Sequence, residues 1–84
     1  MFTFVETQLF TRLVGEHLDD DEYRGLQEVL AAAPESGVVV PGSGGVRKLR
    51  WAVKGRGKRG GVRIIYFVKV QSALIWMDND LREE

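Results

Sequence analysis

The sequence contains no cysteine, which excludes disulfides and thiolate metal sites and implies no oxidising compartment. It has one histidine, His17, whose place near a predicted helix end and before an acid run suits a C-terminal helix partner better than a general base. No apolar run approaches the roughly 20 residues that cross a bilayer. The opening MFTFVETQLF has no basic segment leading into an apolar one, so no signal peptide is expected there. GRGKRGG is no nucleotide-binding P-loop, because the residue after its Gly-Lys pair is Arg59, neither Ser nor Thr. Net charge is also absent: 12 basic residues balance 12 acidic ones. These absences leave a cytoplasmic chain with no cofactor or metal as the expectation.

What is present is 84 residues at 44% hydrophobic and 29% charged, the profile of one globular domain over residues 1–84 with a small core. The neutral sum hides a partition. Residues 1–46 hold eight acids against Arg12 and Arg24. Residues 47–69 hold nine bases and no acid, and the tail returns Asp78, Asp80, Glu83 and Glu84 against Arg82. Local potential follows clustering rather than the sum, so a polyanion could meet a strongly positive face. A solvated basic hairpin is the plainer reading of the same residues.

Periodicity predicts the elements. FTFV over 2–5 reads as a strand. ETQLFTRLVGEH puts Leu9, Phe10, Leu13 and Val14 on one helical stripe. Asp19 is a helix N-cap with Glu22 three residues on, as in a capping box, and the acid run complements the helix dipole. A carboxylate metal site is the alternative for DDDE. The second helix runs through YRGLQEVLAAA, burying Tyr23, Leu26, Leu30 and Ala33, until Pro34 stops it. GVVV over 37–40 is a strand and PGSGG a turn. VRKLRWAV over 46–53 alternates, with Leu49, Trp51 and Val53 on one face and Lys48, Arg50 and Ala52 on the other. KGRGKRGG over 54–61 is a glycine-rich hairpin loop, VRIIYFVKV over 62–70 a central strand, and SALIWM over 72–77 the last strand.

The expected fold is α+β: two N-terminal helices on one face of a small, mainly antiparallel sheet in the order β-α-α-β-β-β-β, with the other face open. Lys48 and Arg50 project from that open face. Arg63 sits among apolar neighbours, where a cation is costly unless it looks outward; salt bridges to the acidic helices are the alternative. Trp51 and Tyr66 could stack on bases, but both are in phase with core residues, so packing is the expected role.

FVE, LDDDEYRGLQ, GSGGVRKLRWAVKGRGKRGGVRIIYFV and the last strand together resemble the HigB branch of the RelE and ParE toxin superfamily, over about residues 2–77. The most specific part is G-G-x-R-K-x-R followed by G-K-x-G-G-x-R-I-I-Y. The resemblance implies a toxin of a toxin–antitoxin module that enters the ribosome and cuts mRNA without metal. It implies that Lys48, Arg50 and Arg63 act on the scissile phosphate, Arg63 holding it, while Arg47, Lys54, Arg56, Lys58 and Arg59 grip RNA. The implied partners are a cognate antitoxin, the ribosome and mRNA, with no membrane.

The end of the chain departs from that pattern. The family's last strand leads into basic or aromatic active-site groups, whereas here SALIWM breaks into DNDLREE, with no Tyr, Lys or His after Met77. A weakened or inactive homologue that binds antitoxin or ribosomal RNA, and a ParE-like gyrase inhibitor, are the alternative readings.

Overall fold

The computed structural model describes residues 1–52 and 61–78, together with the backbone course of 82–83. Val53 and residues 54–60 of the loop expected over 54–61 lie outside them, while Gly61 opens β4 rather than ending a loop. The order is β1 (Thr3–Glu6), α1 (Gln8–His17), α2 (Asp20–Ala32), a 3-10 turn (Pro34–Ser36), β2 (Val38–Val39), β3 (Arg47–Ala52), β4 (Gly61–Lys69), a second 3-10 turn (Val70–Ser72), β5 (Leu74–Met77) and β6 (Arg82–Glu83). This is the α+β arrangement expected from the sequence.

Capping decides the helix starts. The Thr7 hydroxyl accepts a hydrogen bond from the Phe10 amide at 3.1 Å, opening α1. At α2 the capping box is complete: the Asp19 carboxylate accepts from the Glu22 amide at 2.7 Å, and the Glu22 carboxylate accepts from the Asp19 amide at 2.9 Å. Two otherwise orphaned donors are thereby satisfied. The helix therefore begins at Asp20, three residues before Tyr23. Its other end leaves Ala33 as an exposed, non-helical cap rather than the core residue expected, because the residue before a proline is pushed out of helical geometry.

The sheet runs β1-β5-β4-β3-β2, with β6 also paired to β4. β1 lies parallel to β5, and all other pairs are antiparallel. Phe10, Leu18, Leu26 and Leu30 from the helical side pack against Val62, Ile64, Tyr66, Ile75 and Met77 from one face of the sheet. Each fully buried side chain of this kind contributes about 1.5–3 kcal/mol. Glu6, at the end of β1, ties the sheet to both helices: it accepts from the Thr11 hydroxyl at 2.6 Å and the Tyr23 hydroxyl at 2.5 Å.

Three segments differ from expectation. The strand expected over 72–77 begins only at Leu74, because Val70–Ser72 form the second 3-10 turn and Ala73 takes a left-handed conformation. Only Val38–Val39 of GVVV is strand, because residues 34–36 first form a tight turn. Tyr66 pins that turn, its buried hydroxyl accepting from the Gly37 amide at 2.8 Å and donating to the Pro34 carbonyl at 2.7 Å. The chain after Met77 also does more than break away. The Asp78 amide donates to the Ile65 carbonyl at 2.9 Å, and β6 pairs with Val62 and Arg63. β4 has nine residues and β5 only four, so the upper edge of β4 would otherwise carry unpaired, partly buried backbone groups.

Candidate nucleic-acid interface

Strand register sorts the basic residues. Leu49 lies opposite Ile64 and Trp51 opposite Val62, and all four belong to or pack against the helix-side core. Since side chains alternate along a strand, Lys48, Arg50, Arg63, Ile65, Phe67 and Lys69 occupy the other face. Arg50 and Arg63 are direct cross-strand partners, and Lys48 lies opposite Ile65. The three residues expected to handle phosphate are thus brought onto one face, opposite the helices.

Backbone direction refines the Arg50–Arg63 pair. The Val46 carbonyl accepts from Val40, so Val46, Lys48 and Arg50 direct their backbone groups toward the β2 side. The Ile65 carbonyl accepts from Asp78, so Ile65 and Arg63 direct theirs away from β3. Arg50 and Arg63 consequently form a non-hydrogen-bonded pair, the class in which opposed side chains come closest. Like charges set directly opposite are unfavourable, and an anion between two guanidinium groups relieves that repulsion through charge-assisted hydrogen bonds. Arg50 and Lys48 are exposed; Arg63 is half-buried, with its Nε out of contact with solvent. The planar, permanently charged fork of arginine suits the oxygens of a phosphate.

Arg47 is placed differently. It lies opposite Tyr66 on the helix side, and its guanidinium donates to the Gly37 carbonyl at 2.7 Å and more loosely to the Glu35 carbonyl at 3.4 Å. It braces the same turn that Tyr66 holds, and the fold does not bring it to Lys48, Arg50 and Arg63. Lys54, Arg56, Lys58 and Arg59 lie outside the described residues.

The two aromatic residues weighed as stacking platforms both face the core. Tyr66 is fully buried and Trp51 packs against the cluster from the strand edge, its ring close to Gly25. Burial raises the pKa of Tyr66 above the ordinary tyrosine value, opposed in part by its hydrogen bond with Gly37. Tyr23 is pushed higher still, by burial first and then by its hydrogen bond to the Glu6 carboxylate. Both act as neutral donors that hold the fold. His17 ends α1, with its Nδ1 buried and making no hydrogen bond among the described residues.

The open face carries aromatic side chains that the sequence reading passed over. Phe67 and Trp76 are register partners on β4 and β5, and the neighbours of Trp76, Ile75 and Met77, are fully buried on the opposite side. The signal was the alternation in LIWM, which sends Trp76 outward when its neighbours point inward. Among the described residues no group of three or more His, Cys, Asp or Glu side chains converges, and no helix is long and apolar enough to cross a membrane. No protein-family profile matches the chain.

Proposed function

We propose that this protein is a toxin of the HigB branch of the RelE and ParE superfamily, a ribosome-dependent endoribonuclease that acts in the cytoplasm and is held in check by an antitoxin. The observation carrying this reading is the grouping of Lys48, Arg50 and Arg63 on the sheet face opposite the helices, joined to the family-like G-G-x-R-K-x-R and G-G-x-R-I-I-Y segments.

The chemistry follows from what those side chains can do. The 2′-OH of the RNA attacks the adjacent phosphorus, losing its proton to solvent. The P–O5′ bond breaks, leaving a 2′,3′-cyclic phosphate, and the departing 5′-oxygen takes up a proton. Arg63 and Arg50 stabilise the negative charge that grows on the phosphorane, an effect strongest for donors already fixed in place. Lys48, two positions along the same face of β3, supplies a further compact positive charge. In this reading proton transfer runs through water, because the arginine guanidinium groups at the phosphate do not give up a proton.

A second reading has its own observation. Asp78 and β6 run beside the Arg63 stretch of β4, and four of the seven residues from Asp78 to Glu84 are acidic. A homologue that binds ribosomal RNA or an antitoxin without cutting would tolerate that arrangement. Cleavage of mRNA in a translation extract, comparing the native chain with Arg63→Ala, tests the enzyme. The native chain should cut on ribosomes, and the variant should be slower by on the order of 10²-fold. Ribosome binding without cleavage would favour the binder, and inhibition of DNA supercoiling would favour a gyrase poison.

A further inference from the structure

The open face holds more than cations. Arg63, Ile65 and Phe67 stand on one face of β4 at two-residue spacing, so about 13 Å separates the Arg63 and Phe67 positions. Trp76 lies across from Phe67 and is 40% exposed. Among the described residues the one ring-to-ring contact is Phe10 with Tyr23, so the Phe67 and Trp76 rings do not stack on each other. They line a shallow groove of about 580 Å³ together with Lys69 and Gln71. Val68 and Val70 complete a lining that is mostly apolar around the two aromatic side chains, a surface suited to the flat face of a base.

We infer that Trp76 and Phe67 form a base-stacking platform for single-stranded RNA whose backbone phosphate sits on Arg50 and Arg63. The occupant is RNA rather than an apolar protein segment because Phe67 shares its face of β4 with Arg63 and Lys69, and the paired β3 carries Lys48 and Arg50 on that same face. Aromatic stacking tolerates any base, so the platform adds affinity and holds the strand in register rather than reading sequence. Cross-strand packing explains the pair's place in the sheet, but it does not require the indole to be open to solvent on the charged face. This inference rests on the proposed RNA-cutting function and extends it to the neighbouring nucleotide.

The test is fluorescence anisotropy with a short labelled single-stranded RNA, and competition by inorganic polyphosphate, which has charge but no bases. Trp76→Ala should weaken RNA binding by about tenfold, the loss of one stacked base. It should leave polyphosphate binding and the salt slope unchanged. Trp76→Phe should restore most of the affinity. Trp76→Leu, which keeps the apolar bulk and protects the fold, should behave like the Ala variant. Unchanged RNA affinity in Trp76→Leu, or equal losses for RNA and polyphosphate, would overturn the platform. If Arg63→Ala alone loses RNA, the phosphate site stands and the platform falls. If the native chain binds no RNA at low salt, both fall.

Discussion

The two faces of β3 share one backbone and do opposite work. Arg47, Leu49 and Trp51 are half-buried, while Lys48, Arg50 and Ala52 are exposed. The inward set anchors the helices and the turn at 34–37; the outward set concentrates positive charge. Even the arginine on the inward side is spent on structure, since its guanidinium holds the Gly37 carbonyl. The difference shows that a basic residue's role in this segment follows from strand parity before it follows from charge. One face can then be altered with little effect on the other.

The largest break in that comparison comes from the covered face. Leu26 is fully buried among the helix–sheet contacts, so Leu26→Ala should cost about 2–5 kcal/mol. For a domain whose total stability is of order 5–15 kcal/mol, chemical denaturation should show a large fall in the midpoint. Tyr66→Phe should cost about 1–3 kcal/mol, since it strands the Gly37 amide and the Pro34 carbonyl that the hydroxyl now satisfies. A midpoint within error of the native protein would mean the turn needs no such brace.

A smaller effect should appear with pH. Tyr23 has its pKa raised by burial and by Glu6, so the folded state favours the neutral phenol more than the unfolded chain does. That contribution is complete below the unfolded value of about 10 and is lost progressively as pH rises above it. Denaturation between about pH 9 and 11 should show stability falling, and Tyr23→Phe should flatten that fall relative to the native chain. The smallest effect belongs to the open face. Arg50→Gln should change stability by no more than about 0.5 kcal/mol, with a gain favoured because it removes a like charge opposite Arg63. A loss above about 1 kcal/mol would show that Arg50 is structural.

The alternation of β3 was legible because one of its faces is wet, and a half-buried strand shows period two. β4 is buried on both faces for much of its length, so its apolar run revealed a central strand but not where Phe67 points. Asp19 and Glu22 announced the α2 start, because a capping box is local. The role of Arg47 was hidden, since its acceptor belongs to a turn ten residues away. β6 was hidden for a related reason. Two residues of Arg-Glu carry no strand pattern, and their pairing answers a vacancy on β4 that exists only once β5 has stopped at Met77. The parallel β1–β5 pairing likewise joins the two ends of the chain, beyond the reach of any local signal.

The central claim is that the face carrying Lys48, Arg50 and Arg63 meets nucleic-acid phosphates while the other face only supports the fold. Binding of single-stranded RNA measured from low to moderate salt tests it most directly, comparing the native chain with the triple variant Lys48→Gln, Arg50→Gln and Arg63→Gln. Each lost phosphate contact should make the slope of log K against log salt less steep by about 0.7. The account predicts a slope shallower by about 2 in the triple variant, weaker binding at low salt, and an unchanged fold. Equal slopes and equal affinities in a folded triple variant would contradict it.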